Sequence, residues 1–160
     1  MFIATLNYPG GTALNPTSVG YDWANNYISN LLQPKAVNGM DNTARPWAVL
    51  GVLLMSASFG LFFVKFSKGI PVKSAANVIK YGGVLATGLA FLTVIPSQHD
   101  RMVTLSSVLT LLVFFYITIF ILKSRLTILK ICSVIFLSMF YVAAFMYFTQ
   151  FHVEYLPMMQ

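Results

Sequence analysis

The stretch LLVFFYITIFIL, residues 111–122, decides the fold class because it carries no charged residue on any side. A helix of a soluble bundle needs a polar outer face at helical spacing. Residues 134–148 also contain no charge, so every face of both predicted helices is apolar. Such a surface is compatible with lipid. A helix can also enter lipid without losing hydrogen bonds, because its backbone groups are paired internally. Both stretches therefore predict membrane spans and exclude a soluble bundle.

Two further stretches are long enough to cross a membrane. A span needs roughly 20 mainly apolar residues for a hydrocarbon core of about 30 Å. The four candidates are residues 47–64, 76–95, 103–122 and 127–149. Short connectors make successive helices antiparallel neighbours. We expect an all-α polytopic membrane bundle of about four transmembrane helices over residues 47–160, with an extracytoplasmic N-terminal cap over residues 1–46.

The composition supports a membrane protein. The 160 residues are 58% hydrophobic and 9% charged, with a mean hydropathy of +0.76, whereas soluble domains carry about 25% charged residues. A soluble enzyme, a disordered tail and a disulfide scaffold are excluded, and the single Cys132 permits no internal disulfide. The net charge is +6, but the ten basic residues are scattered at segment ends and form no stripe. No nucleic-acid partner is therefore expected.

Small residues at four-residue spacing predict where the helices pack closely. Gly82, Ala86 and Ala90 give the second span such a face, and Ser56 with Gly60 does the same on the first. Small side chains let two helix backbones approach each other in a membrane. We therefore expect these faces to be packing seams.

The N-terminal segment has a different character. Its prolines and glycines exclude a long helix over residues 7–20. Residues 21–32, YDWANNYISNLL, would place aromatic and aliphatic side chains on one side of a short helix. Amphipathic aromatic side chains favour the membrane interface. The pattern predicts a short interfacial helix here.

The charge distribution predicts the orientation. Lysine and arginine near span ends mark the cytoplasmic side. Seven lie in or beside the connectors after the first and third spans, without any acid: Lys65, Lys68, Lys73, Lys80, Lys123, Arg125 and Lys130. The opposite ends hold three basic residues, both histidines and all four acids, which are Asp22, Asp41, Asp100 and Glu154. Both termini are therefore expected to be extracytoplasmic.

This orientation requires a polar segment to cross the membrane ahead of the first span. Residues 1–6 are too short and lack the basic region of a signal peptide. One explanation is that they are the outer end of an additional span that precedes this chain. Residues 153–160, after the fourth span, show no pattern that marks the end of a membrane domain. We therefore also expect further spans to follow them.

The groups able to carry chemistry gather at the predicted outer face. His99 and Asp100 in the second connector, with His152 and Glu154 after the fourth span, supply imidazole and carboxylate ligands for a divalent metal. Their spacing matches no known metal motif, and solvated loop residues are the ordinary alternative. A haem held by the two histidines is a further alternative, although both lie outside the predicted spans. The cofactor is thus left open.

Other chemistries have little support. No Gly-x-Ser-x-Gly elbow is present, and a serine such as Ser106 within a membrane helix usually bonds its own backbone or a neighbouring helix. No phosphate-binding loop follows Gly10 and Gly11. No ionisable residue lies in the middle of a span, which disfavours an ion-coupled carrier.

The stretch NYISNL, residues 26–31, followed by Gln33 and Pro34 and then a span, resembles a family of bacterial and archaeal membrane proteins called domain of unknown function 998. The proteins of this family are in turn similar in architecture to the Frag/DRAM/Sfk membrane proteins. The family's outer loop, rich in Tyr, Pro and Gly, is matched by residues 8–11. Asn30 stands where the family usually has an acid, and four spans stand where about six are expected. The resemblance implies an integral membrane protein without a defined activity.

The sequence thus favours a non-catalytic role in the cell envelope, as a membrane subunit or a lipid-associated protein. Its expected partners are membrane lipids and other membrane subunits. The polar cap residues expected to form hydrogen bonds are Asp22, Asn26, Ser29 and Asn30, together with His99. The alternative is a membrane-embedded hydrolase of lipid headgroups that uses His99, Asp100, His152 and Glu154 around a metal.

Overall fold

The structure, a computed structural model, describes residues 1–149. Its α-helices are α1 (Phe2–Leu6), α2 (Arg45–Ser67), α3 (Lys73–Leu92), α4 (His99–Leu122) and α5 (Thr127–Thr149). Helix α3 contains one π-helical turn, Val78–Gly82, and a 3-10 turn, Pro96–Gln98, leads into α4. No β-strand occurs over residues 1–149, where two isolated bridges are the only β pairing.

The prediction of an all-α bundle with four membrane-spanning helices is confirmed. Helices α2 to α5, with the Pro96–Gln98 turn included in the third, are each long and apolar enough to cross a membrane. Four such helices indicate a multi-pass membrane protein.

The start of the third span differs from the prediction. His99 and Asp100 lie in the first turn of α4 and not in a connector. Pro96 begins the preceding 3-10 turn, where its fixed φ suits the start of a helix and its missing N–H costs nothing. Asp100 in the first turn adds a favourable interaction with the helix dipole.

The predicted packing seam of α3 is confirmed at Gly82 and Ala86. A Cβ atom at Gly82 would lie 3.1 Å from Val113 of α4. Ala86 is 1% exposed, and its carbonyl oxygen accepts a hydrogen bond of 3.0 Å from the Ser106 hydroxyl of α4. Ser106 therefore bonds a neighbouring helix, as expected of a serine within a span.

Two buried clusters hold the molecule together. The bundle cluster joins Phe63 of α2, Ile79 of α3, and Val113 and Ile117 of α4. The cap cluster joins residues before α2 to its first turn, with Ala4, Tyr8, Leu31, Leu32, Ala36, Ala44 and Ala48 as members.

The cap cluster also defines the two ends of the bundle. Val94, in the connector between α3 and α4, packs against it, so this connector lies at the same end as the cap. We call this the cap end. Because the helices alternate in direction, the connectors over residues 68–72 and 123–126 lie at the other end. We call that the basic end, after its lysines and arginine.

The predicted interfacial helix over residues 21–32 is wrong. Only Ile28–Leu32 is helical, as a 3-10 turn, and residues 22–26 form a turn. The Asp22 carboxylate accepts from the Ala24 backbone N–H, and the Asn26 side chain accepts from the Asp22 backbone N–H. Such local side-chain bonds compete with the backbone bonds of a helix, and here they prevail.

Candidate functional site

Asn26 is the central polar residue of the cap. It is 1% exposed, and its side-chain amide donates to the Gly11 carbonyl oxygen at 2.8 Å. Its amide oxygen accepts from the Asp22 backbone N–H at 2.9 Å. Asn26 therefore joins the loop over residues 10–20 to the turn over residues 22–26. Asn26 is one of the residues that were predicted from the sequence to be hydrogen-bonding groups of the cap.

Asn42 has a comparable role, which was not predicted from the sequence. Its amide nitrogen lies within hydrogen-bond distance of the carbonyl oxygens of Asn30, Leu31 and Gln33, at 3.0, 3.2 and 2.8 Å. Its amide oxygen accepts from the Ala44 backbone N–H at 3.2 Å. Asn42 thus holds the 3-10 turn against the start of α2. The bond to the Ala44 N–H is a local turn that an asparagine side chain favours, but α2 has no side-chain cap, so no capping signal pointed to Asn42.

Two tyrosines form the aromatic centre of the cap. The rings of Tyr8 and Tyr21 meet edge to face with centroids 5.7 Å apart. The Tyr8 hydroxyl accepts from the Val37 backbone N–H, and the Tyr21 hydroxyl donates to the Asn26 carbonyl oxygen. Burial raises the pKa of Tyr21 to about 12, and the neighbouring Tyr8 adds to the effect. Both hydroxyls are therefore engaged in holding the cap.

The other predicted cap residues lie in the same region with lesser roles. The Asp22 carboxylate accepts from the Asn25 side chain at 2.8 Å and from the Ala24 backbone at 2.9 Å, and these bonds lower its pKa. Ser29 and Asn30 are half-buried at the 3-10 turn. Asn30 contributes its backbone carbonyl to Asn42.

His99 is anchored to the turn that precedes it. Its Nδ1 lies 2.7 Å from the Thr93 carbonyl oxygen. A carbonyl oxygen only accepts, so Nδ1 carries a proton and donates. This hydrogen bond joins the first residue of α4 to the first residue after α3, across the connector between the two helices. Asp100 beside it is exposed.

The predicted metal site is only partly covered by the structure. His152 and Glu154 lie outside the described residues, so their distance from His99 and Asp100 stays a prediction. Over residues 1–149, no three His, Cys, Asp or Glu side chains come together in a way that could hold a metal ion.

A shallow depression of about 560 Å³ lies where the cap meets α2. Its polar lining consists of Asp41, Asn42, Thr43 and Arg45. Three of these four side chains already form internal bonds: Asn42 as above, the Thr43 hydroxyl to the Asn7 carbonyl, and the Arg45 Nε to the Leu32 carbonyl. The depression is therefore built mainly by groups that hold the cap on the bundle.

Comparison of the chain with models of protein families, with characterised proteins and with solved structures gives no match.

Proposed function

We propose that this membrane protein is a non-catalytic subunit or lipid-associated protein of the cell envelope, and that its cap is a preformed contact surface. One observation carries the proposal. The side chains of Asp22, Asn26 and Asn42 are engaged in internal hydrogen bonds, while several large apolar side chains of the cap face outward.

The internal bonds support a structural role for the polar residues. Asn26 and Asn42 each use both ends of their side-chain amides within the cap. The carboxylate of Asp22 is also engaged. A catalytic residue must present a free group to its substrate in a suitable geometry. The buried amides of the cap present none.

The exposed apolar residues support a contact role. Leu14, Val19 and Trp23 are 82%, 94% and 59% exposed on the cap. A contiguous exposed apolar surface marks a contact site for proteins or membranes, and we propose that these three side chains contribute to one. Trp23 also packs edge to face on Tyr21, with ring centroids 5.2 Å apart, so its position is fixed.

The loop that carries Leu14 and Val19 is preorganised. Gly11 N–H donates to the Ser18 carbonyl at 2.8 Å, and Gly20 N–H donates to the Pro9 carbonyl at 3.2 Å. Gly10 and Gly11 have φ of +136° and +88°, and a Cβ atom on either would collide with neighbouring backbone. A loop already ordered loses less conformational entropy on binding.

We further propose that the cap is extracytoplasmic. Seven basic residues at the basic end and the rule that cytoplasmic connectors are rich in lysine and arginine support this orientation. Val94 packs against the cap, so the cap and the first turn of α4, which contains Asp100, lie at the same end of the bundle. The acids of both segments therefore lie opposite the basic end, as this orientation requires.

Site-specific photo-crosslinking in the native membrane tests the contact role. A benzophenone side chain at Leu14, Val19 or Trp23 is expected to form adducts, with a protein if the chain is a subunit or with lipid if it is lipid-associated. Lys35, which is also exposed on the cap, is the matched control position. Equal adduct yields at Lys35 and at the three apolar positions would contradict the proposal.

Metal analysis separates this proposal from the hydrolase alternative. Detergent-purified protein is expected to contain no stoichiometric zinc. Stoichiometric zinc that disappears in His99→Ala would favour a metal-dependent enzyme.

A further inference from the structure

A groove of about 310 Å³ lies towards the basic end of the bundle, between α2, α4 and α5. Phe62 and Phe66 line it from α2, Phe114 and Ile121 from α4, and Cys132 and Phe136 from α5. Both α2 and α5 are linked to α4 by ring contacts, with centroids 5.9 Å apart for Phe63 and Phe114 and 4.9 Å apart for Phe114 and Phe136. Helix α4 is therefore the floor of the groove.

The groove is apolar and open at its edges. Phe62 and Phe136 are 41% and 46% exposed. Ser133, one of its few polar residues, donates its hydroxyl to the Lys130 carbonyl at 2.9 Å and so offers little to a polar ligand. The volume is less than one turn of an α-helix occupies, a cylinder about 10 Å across and about 5.4 Å tall. A hydrocarbon chain fits this surface better than a partner helix.

Positive charge lies at the same end of the bundle as the groove. Lys65 is next to the lining residue Phe66, Lys130 is next to the lining residue Leu129, and Arg125 lies in the connector between α4 and α5. The acids of the described range, at positions 22, 41 and 100, belong to the cap and to the first turn of α4, which are both at the cap end. Within residues 1–149, the positive charge at the basic end is therefore not neutralised by a neighbouring carboxylate.

An apolar groove that ends among uncompensated basic residues complements an anionic phospholipid. Basic pockets between transmembrane helices bind anionic lipid headgroups, and each nearby lysine or arginine contributes to the attraction. We propose that this groove holds an acyl chain of an anionic phospholipid whose headgroup lies against Lys65, Arg125 and Lys130. The site is at the opposite end from the cap and does not depend on what the cap contacts.

The single cysteine of the chain reports occupancy in the unaltered protein. Cys132 lines the groove and is exposed. In detergent, its rate of alkylation by N-ethylmaleimide is expected to fall as phosphatidylglycerol is added, and to change little with phosphatidylcholine of the same acyl chains. A protein with both Cys132→Ser and Ile131→Cys is the control, because Ile131 is 56% exposed and is not a lining residue.

Charge variants test the headgroup. Lys65→Gln and Lys130→Gln are each expected to weaken protection by phosphatidylglycerol about fivefold. Lys35→Gln, at the cap end, is expected to leave protection unchanged. These are surface substitutions, and unaltered thermal unfolding verifies that the bundle still folds.

Three results would overturn the proposal. Equal protection by phosphatidylcholine, or equal protection of the control protein's thiol at position 131, would show that lipid covers this end without a specific site. Unchanged protection in both charge variants would remove the headgroup contact. Protection that follows protein concentration and not lipid would show that a second copy of the chain covers the groove.

Discussion

The side-chain amide of Asn26 donates to the backbone carbonyl of Gly11, fifteen residues earlier, at a distance of 2.8 Å. This bond is buried, and it links the loop that carries Leu14 and Val19 to the turn that carries Trp23. The Asn26 amide therefore contributes to the relative position of the outward apolar side chains. A buried hydrogen bond of this kind contributes modestly when made and costs more when one partner is left unpaired.

Asn26→Asp is expected to destabilise the cap by about 1–3 kcal/mol at neutral pH, because a carboxylate cannot donate to the Gly11 carbonyl. The loss should be smaller at acidic pH, where a protonated carboxyl group can donate. Limited proteolysis of the loop over residues 10–20 measures the effect. Asn77→Asp is the control, because Asn77 is exposed on α3. Equal proteolysis rates for wild type and Asn26→Asp would contradict the role assigned to this bond.

The spans could be predicted from the sequence because their surface is uniformly apolar, as residues 111–122 show. The cap could be predicted only in part. Asn26 was expected to form hydrogen bonds, but the turn over residues 22–26 could not be foreseen, since an Asp or Asn side chain fits both a helix start and a turn. The role of Asn42 depends on carbonyl groups nine to twelve residues earlier, which periodicity does not reveal.

Gly83 was missed for a similar reason. Spacing singled out Gly82 and Ala86 as a face, but α2 approaches α3 closely at Gly83, where the Phe63 ring lies against the backbone. Which of two adjacent glycines faces a given neighbour depends on helix rotation. That rotation does not follow from the sequence, and here a π-helical turn over Val78–Gly82 alters it just before Gly83.

Gly83→Ala is expected to destabilise the bundle by about 1–3 kcal/mol, because the added methyl group would overlap the Phe63 ring in a buried contact. Gly88→Ala on the same helix is the matched control. A Cβ atom at Gly88 meets nothing within 4 Å, so this variant should be as stable as wild type or slightly more stable. Thermal unfolding in detergent measures both. A Gly83→Ala protein as stable as Gly88→Ala would show that the Phe63 contact is not tight.

The proposed orientation is tested by single-cysteine labelling in a Cys132→Ser background. Thr17→Cys and Ser97→Cys, both at the cap end, are expected to react with a membrane-impermeant maleimide in intact cells. Ser74→Cys, at the basic end, should react only after the membrane is permeabilised. All three positions are exposed, so access to the thiol is comparable. If Ser74→Cys alone were labelled in intact cells, the orientation would be the opposite of the one proposed.

The raised pKa of Tyr21 predicts a loss of cap stability at high pH. The pKa rises from 10.0 to about 12 in the folded protein, because burial disfavours the charged phenolate. Between these values the unfolded chain releases a proton that the folded chain retains, so stability is full below pH 10 and declines as the pH rises towards 12.

Tyr21→Phe should flatten this decline. It should also cost about 1 kcal/mol at neutral pH through the lost bond to the Asn26 carbonyl. Proteolysis of the cap across this pH range measures both effects, with Tyr81→Phe, exposed on α3, as the control. A decline as steep in Tyr21→Phe as in wild type would assign the high-pH instability to another group.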